Sequence, residues 1–114
     1  MGRMSRNKGK VGERELAAKL TELFGEQCRR SAQYCGKAGD ADVVGIPGVH
    51  VECKRTETLA LWKALEQATQ DAVDGSTPIV CHRPNKRPWI VVAYLDDLPK
   101  LVNQLFLVLA AKHS

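Results

Sequence analysis

Aromatic side chains are scarce in this chain, with two Trp, two Tyr and two Phe among 114 residues. Any core must be packed mainly from Leu, Val, Ala and Ile, and an apolar content of 44% is enough for that. No uninterrupted apolar run reaches the length that spans a bilayer, which argues against a membrane protein. The basic opening MGRMSRNKGK lacks the apolar segment of a secretory signal, so residence in the cytoplasm is expected. Cys28, Cys35, Cys53 and Cys81 form no CxxC pair and have no nearby histidine at zinc-finger spacing. They read as reduced, partly buried small hydrophobes. A glycine-rich loop of the ATP-binding kind is also missing, which speaks against chemistry driven by ATP. The length gives room for one domain.

What the chain does have is a modest positive excess with an informative placement. Its 17 Lys and Arg against 13 Asp and Glu give a net charge of +4. The cations gather at Arg3, Arg6, Lys8 and Lys10, at Arg29 and Arg30, at Lys54 and Arg55, and at Arg83, Lys86 and Arg87. The acids fall mostly on expected helices. Such clusters suit a polyanion held by its phosphates, although a hydrated basic surface would look the same by charge alone.

Residues 1–10, basic and glycine-containing, are expected as a flexible arm ahead of a single domain over 11–114. From Val11 to Phe24, Leu16, Leu20, Leu23 and Phe24 recur at three- and four-residue spacing, which predicts a helix stopped by Gly25. A short strand over 27–32 and a loop through Gly36 and Gly39 come next. Strands at Asp42–Ile46 and Val49–Arg55 are joined by Pro47-Gly48 as a hairpin. A helix from Leu59 to Val73, strands at Pro78–Arg83 and Pro88–Tyr94, and a last helix ending near Ala111 complete the order. Asp96 or Asp97 can cap that helix, with Pro99 in its first turn. The order α-β-β-β-α-β-β-α predicts an α/β fold, a mixed central sheet flanked by helices.

Residues 49–54 read VHVECK. Alternation along a strand puts Val49, Val51 and Cys53 on one face and His50, Glu52 and Lys54 on the other. The first face is core-like. The second carries a carboxylate and an ammonium two residues apart, and Asp42 on the preceding strand can set another carboxylate beside them. Hydrolysing a phosphodiester needs the phosphoryl charge neutralised and a hydroxide delivered in line. Two carboxylates can hold Mg²⁺, which favours oxygen ligands, keeps several waters and lowers the pKa of one of them. Mn²⁺ is expected to substitute. A nearby lysine can orient that water, or act as a base if burial lowers its pKa. E-x-K alone is common by chance, and the plain alternative is a surface hairpin whose Glu and Lys happen to alternate. Asp42 across the Pro-Gly turn favours the chemical reading.

On the wheel of the first helix, Glu13 shares the side of Leu16, Ala17, Leu20 and Phe24, whereas Glu15 falls on the solvent side with Glu22. A carboxylate heading an apolar stripe needs a partner, such as a cation at the sheet. The alternative is that water and the helix dipole suffice in the first turn. His50 reads as a flanking polar residue rather than a ligand. Trp62 lies on the stripe of Leu59, Leu65, Thr69 and Val73 and reads as core.

Four segments carry a resemblance: GKVGEREL at residues 9–16, Arg30-Ser31-Ala32, GDADVV at residues 39–44, and Val51-Glu52-Cys53-Lys54. They resemble the PD-(D/E)XK nuclease superfamily and, in spacing, the archaeal-type Holliday junction resolvases and their phage relatives, over about residues 8–95. The resemblance implies a restriction-endonuclease-like αβββαβ core, here followed by a C-terminal helix. It implies an endodeoxyribonuclease in which Glu13, Asp42 and Glu52 handle the metal, Lys54 aligns the attacking water and Ser31 contacts the scissile region. Gln67 falls where such proteins often carry a glutamine on the helix after the lysine strand; it lies off the apolar stripe, so either role is open. Ala41 stands where the superfamily name has proline, and Asp40 is an alternative to Asp42 further into the glycine loop.

The leading expectation is therefore a Mg²⁺-dependent, structure-selective DNA endonuclease that resolves four-way junctions by paired nicks in a prokaryotic or phage-infected cell. Lys8, Lys10, Arg29, Arg30 and Arg55 are its expected DNA contacts, made to backbone rather than bases. The alternatives are a nicking, restriction or repair nuclease of the same superfamily, and a catalytically silent DNA-binding module on the same fold. Leu98, Leu101, Val102, Leu105, Phe106, Leu107, Val108 and Leu109 cover much of the last helix, which must be deeply embedded or shared with a second copy. A two-fold junction calls for two active sites. A homodimer is expected, through that helix or the sheet edge at Trp89–Tyr94.

Overall fold

The computed structural model describes residues 2–31, 41–73 and 75–112, with the backbone alone for residues 2–8. Helix α1 (Gly2–Phe24) leads into strands β1 (Arg29–Arg30), β2 (Val43–Val44) and β3 (Val49–Lys54). Helix α2 (Leu61–Asp71), strands β4 (Thr77–His82) and β5 (Ile90–Val92), a 3-10 turn at Leu95–Asp97 and helix α3 (Leu98–Lys112) complete the order. The expected α/β architecture and order of elements are what the molecule shows. The glycine loop before Asp42, with Cys35 and Asp40, lies outside the described residues.

The five strands form one mixed sheet in the order β1-β2-β3-β4-β5. The first three are antiparallel, β3 and β4 are parallel, and β5 returns antiparallel. The parallel pair requires a crossover, and α2 supplies it. Two apolar layers hold the helices to the sheet. On one face Leu16, Ala17 and Leu20 of α1 and Leu101 and Val108 of α3 meet Val43, Val49, Val51, Ile79 and Cys81. On the other, Ala64, Leu65 and Ala68 of α2 meet Val80. Both central strands are covered on both sides, so β4 is buried along its whole length.

Three local differences from expectation have physical causes. Helix α1 starts at Gly2 rather than Val11, so residues 2–10, expected as an arm, are its opening turns. No proline interrupts them, and a glycine such as Gly9 costs a helix only about 1 kcal/mol. Gly12 has a specific use: a Cβ there would lie 2.6 Å from Cβ of Arg55, so its absence lets α1 pass close over the end of β3. Strands β1 and β2 keep only two residues each. At Gly45 the backbone has φ +125°, and a Cβ would lie 2.6 Å from Cα of Cys28, so only glycine allows the chain to cross β1 there.

Trp62 is the clearest correction. It was expected in the core and is 68% exposed, and Val73 from the same expected stripe is 66% exposed. The face that α2 turns to the sheet is set by Ala64, Leu65 and Ala68, whose small side chains let the helix approach closely. Trp89 packs beside the α1 layer. Among the described residues Cys28, Cys53 and Cys81 are free, and burial pushes the Cys53 and Cys81 thiols up to about 12. They are protonated small hydrophobes, as expected.

Candidate active site

The β2–β3 hairpin brings the acids together. Ser31 N–H donates to the Asp42 carbonyl at 3.0 Å, and Val43 stands opposite Val51. One step beyond that pair, the register lays Ser31, Asp42 and Glu52 side by side on the face away from α1. The Asp42 carboxyl is fixed by a hydrogen bond from Cys53 N–H to Oδ2 at 2.8 Å. Burial is the largest influence on it and disfavours its charge; the Cys53 N–H pulls the other way, and the charge and hydrogen bond of Glu52, then the charge of Glu13, add to the rise. Together they push Asp42 up to about 7.

Glu52 is buried on the same face, and its Oε1 lies 2.7 Å from Nε2 of His50. His50, expected as a flanking polar residue, is therefore an internal partner of an expected site acid. Strand alternation puts it on the right face, but no local signal marks it as buried, and it is only 5% exposed.

Lys54 follows Glu52 by two residues on that face and is half-buried. It lines a cleft of about 330 Å³ between the end of β3 and α2, with Thr56, Thr58, Lys63 and Gln67. Among the described residues no carboxylate lines this cleft. Gln67 lines the same cleft as Lys54, and its amide also donates to Asp71 Oδ2 at 3.0 Å. A larger concavity of about 950 Å³ lies at the other end of the hairpin, between the end of α1, Pro47 and α3. It holds none of the expected site residues.

Glu13 stands at the margin. Its charge reaches Asp42, but its Oε1 accepts from Arg30 Nε at 2.8 Å. Arg30 points to the α1 side because Ser31 takes the other face. Among the described residues no group of three or more His, Cys, Asp or Glu is arranged to hold a metal ion. The candidate donor set is the Asp42–Glu52 pair. It fits a small divalent cation: two carboxyls in hydrogen-bond contact in a largely buried spot repel one another when ionised, and a hard cation with retained waters removes that cost.

The expected DNA contacts divide. Lys10 and Arg29 are exposed, and the Lys8 side chain lies outside the described residues. Arg30 and Arg55 are engaged within the protein. Arg55 donates from Nε to Glu15 at 3.3 Å, from Nη1 to the Arg83 carbonyl at 3.1 Å and from Nη2 to Asn85 Oδ1 at 3.0 Å. Arg83 also bonds Glu15 through Nη1. Glu15 was expected on the solvent side of α1, and this overturns it. Burial works against its charge, but the hydrogen bonds and charges of Arg83 and Arg55 outweigh that and hold its carboxyl below the usual range. A helical wheel shows which way a residue points, not which arginines from elsewhere in the fold meet it there.

Comparison with known proteins adds one finding. The family described as "Phage putative PDDEXK endonuclease" matches residues 4–113. No curated protein and no solved structure matches the chain.

Proposed function

The chain belongs to this phage PDDEXK endonuclease family and through it to the PD-(D/E)XK nuclease superfamily, and on that premise we propose that it is a Mg²⁺-dependent, structure-selective DNA endonuclease that resolves four-way junctions by paired nicks. The observation that carries the reading is Asp42 lying across the strand pair from the buried Glu52, whose charge bears on it, with Lys54 two residues along the same strand face.

In this reading Asp42 and Glu52 hold the cation, and Glu13 supports it from the margin. The bound ion supplies charge neutralisation at the phosphoryl oxygens and a more acidic water. Lys54 donates hydrogen bonds that orient the attacking water opposite the leaving oxygen. The acid-free cleft with Lys54 and Lys63 favours a polyanionic strand at this place, with Ser31, Lys8, Lys10 and Arg29 as further contacts. Arg30 and Arg55 serve the protein's own carboxylates, so their part in DNA binding is indirect. No described helix is long and apolar enough to cross a membrane.

Paired cuts need two sites, and we extend the proposal to a homodimer. Helix α3 buries Leu101 and Val108 but exposes Leu98, Val102, Phe106 and Leu107, which favours a second copy over deep embedding.

The deciding assay incubates the protein with an immobile four-way junction, a nicked duplex, a flap and single strands, with Mg²⁺ and without. Symmetric nicks near the branch point, in Mg²⁺ only, are expected. Cleavage of another substrate in preference to the junction would move the protein to a nicking, restriction or repair role. Wild type and Lys54→Ala equally inactive on every substrate in Mg²⁺ or Mn²⁺ would leave a DNA-binding module.

A further inference from the structure

Two imidazoles are buried among the described residues: His82, bonded to the Thr56 carbonyl at 2.9 Å, and His50, which neither the family match nor the strand motif explains. His50 is 5% exposed and Glu52 8%, and their side chains meet at 2.7 Å between Nε2 and Oε1. A carboxylate can only accept a hydrogen bond, so against ionised Glu52 the ring carries its proton on Nε2. His50 opens the row of which Glu52 and Lys54 are the next members, and its own neighbour across the sheet is Pro78. The ring is confined by burial, with a proline as its cross-strand neighbour, and among the described residues Glu52 Oε1 is its polar partner.

The two acids are secured in parallel ways. Asp42 has Oδ2 tied by the Cys53 N–H, and Glu52 has Oε1 tied by His50. The first tie is made by the backbone and is insensitive to side-chain identity. The second depends wholly on residue 50. A buried glutamate has three rotatable bonds, and one donor fixing one oxygen removes most of that freedom before any ligand arrives.

We infer that His50 is a positioning residue that holds the Glu52 carboxylate in the orientation in which it and Asp42 together receive a divalent cation. The inference rests on the reading of Asp42 and Glu52 as the cation's ligands. A hydrogen-bonded partner behind a ligating carboxylate is worth tenfold to a hundredfold in metal affinity, the scale that sets the expected effect.

The test measures Mn²⁺ affinity of the metal-free, DNA-free protein by calorimetry and by the free-ion electron paramagnetic resonance signal, with circular dichroism to verify folding. His50→Ala is expected to fold and to bind Mn²⁺ about tenfold to a hundredfold more weakly than wild type. His50→Gln, whose amide keeps a donor, is expected to recover most of the loss. His50→Met, which keeps bulk and removes the donor, is expected to behave as alanine does and takes its place if alanine fails to fold. Unchanged Mn²⁺ affinity in a folded alanine or methionine variant overturns the inference. So does a glutamine variant as weak as alanine, since the donor would then not be what matters. If wild type binds no Mn²⁺ while Glu52→Gln behaves identically, the ligand assignment itself falls, a result distinct from either of these.

Discussion

Burying Asp42 beside Glu52 ties the fold to pH. With its carboxyl pushed up to about 7 in the folded protein and near 3.8 in the unfolded chain, the folded state keeps a proton that the unfolded state has released between those values. Stability therefore falls as pH rises through that window, and the full cost is present above about 7. Asp42→Asn is expected to melt higher than wild type at pH 8 in chelator, with the gap closing toward pH 4, where both side chains are neutral. Equal melting temperatures at pH 8 would contradict the burial argument. Cation binding requires the proton to leave, so wild-type Mn²⁺ affinity should weaken as pH drops below about 7. Lys54→Ala should lose about 100-fold or more in cleavage rate while keeping junction affinity within a few-fold, since the group orients a reactant rather than anchoring the strand. Gel-shift and single-turnover assays separate the two quantities.

Among the elements, those with strong periodicity were legible in the sequence and those fixed by contacts between distant segments were not. The alternation in VHVECK gave β3 and both its faces, and Pro47-Gly48 gave the hairpin, because each is a local signal. Asp42 beside Glu52 followed from the hairpin alone. The opening of α1 was missed because its turns have no apolar stripe. Glu15 was misplaced because its partners, Arg55 and Arg83, lie far along the chain. Trp62 shares an apolar stripe with Leu59, Leu65 and Val73 and so reads as core, whereas the sheet takes the face of Ala64, Leu65 and Ala68. The Glu15–Arg55–Arg83 cluster joins α1 to the end of β3 and to the loop after β4, and Glu57 accepts from Asn85 N–H at 2.6 Å in the same loop. Glu15→Ala leaves two partly buried guanidinium groups without their acid, and a stability loss of about 1–2 kcal/mol by urea titration is expected. Lys63, on α2 beside Lys54, is expected to touch a phosphate. Lys63→Ala should lower the slope of log affinity against log salt by about 1, without altering the single-turnover rate at saturation. Lys19, remote from the cleft and paired with Glu22 at 3.6 Å, serves as the unaffected control.

For the whole molecule, the proposed paired cuts need two copies of one small domain. Val102 is 55% exposed and Phe106 63%, four residues apart on α3, so they form one ridge with Leu98. Replacing Phe106 by Asp should leave the folded monomer intact and abolish the dimer in sedimentation at tens of micromolar. Junction cleavage by that variant should lose its pairing and give single nicks. A wild-type protein already monomeric at that concentration would remove the dimer from the proposal.

The hairpin has a further consequence. Asp42, Glu52 and Lys54, with His50 and the Cys53 N–H that hold the acids, come from one short stretch of chain, closed by its own turn. The surfaces around it come from elsewhere: Lys10 on α1, Lys63 and Gln67 on α2, and Lys86 and Arg87 in the loop between β4 and β5. On the proposed reading, chemistry and strand choice are written in separate parts of the sequence. On that reading, drift or design re-aims the molecule at another nucleic-acid shape by changing those outer cations, leaving the hairpin as it stands.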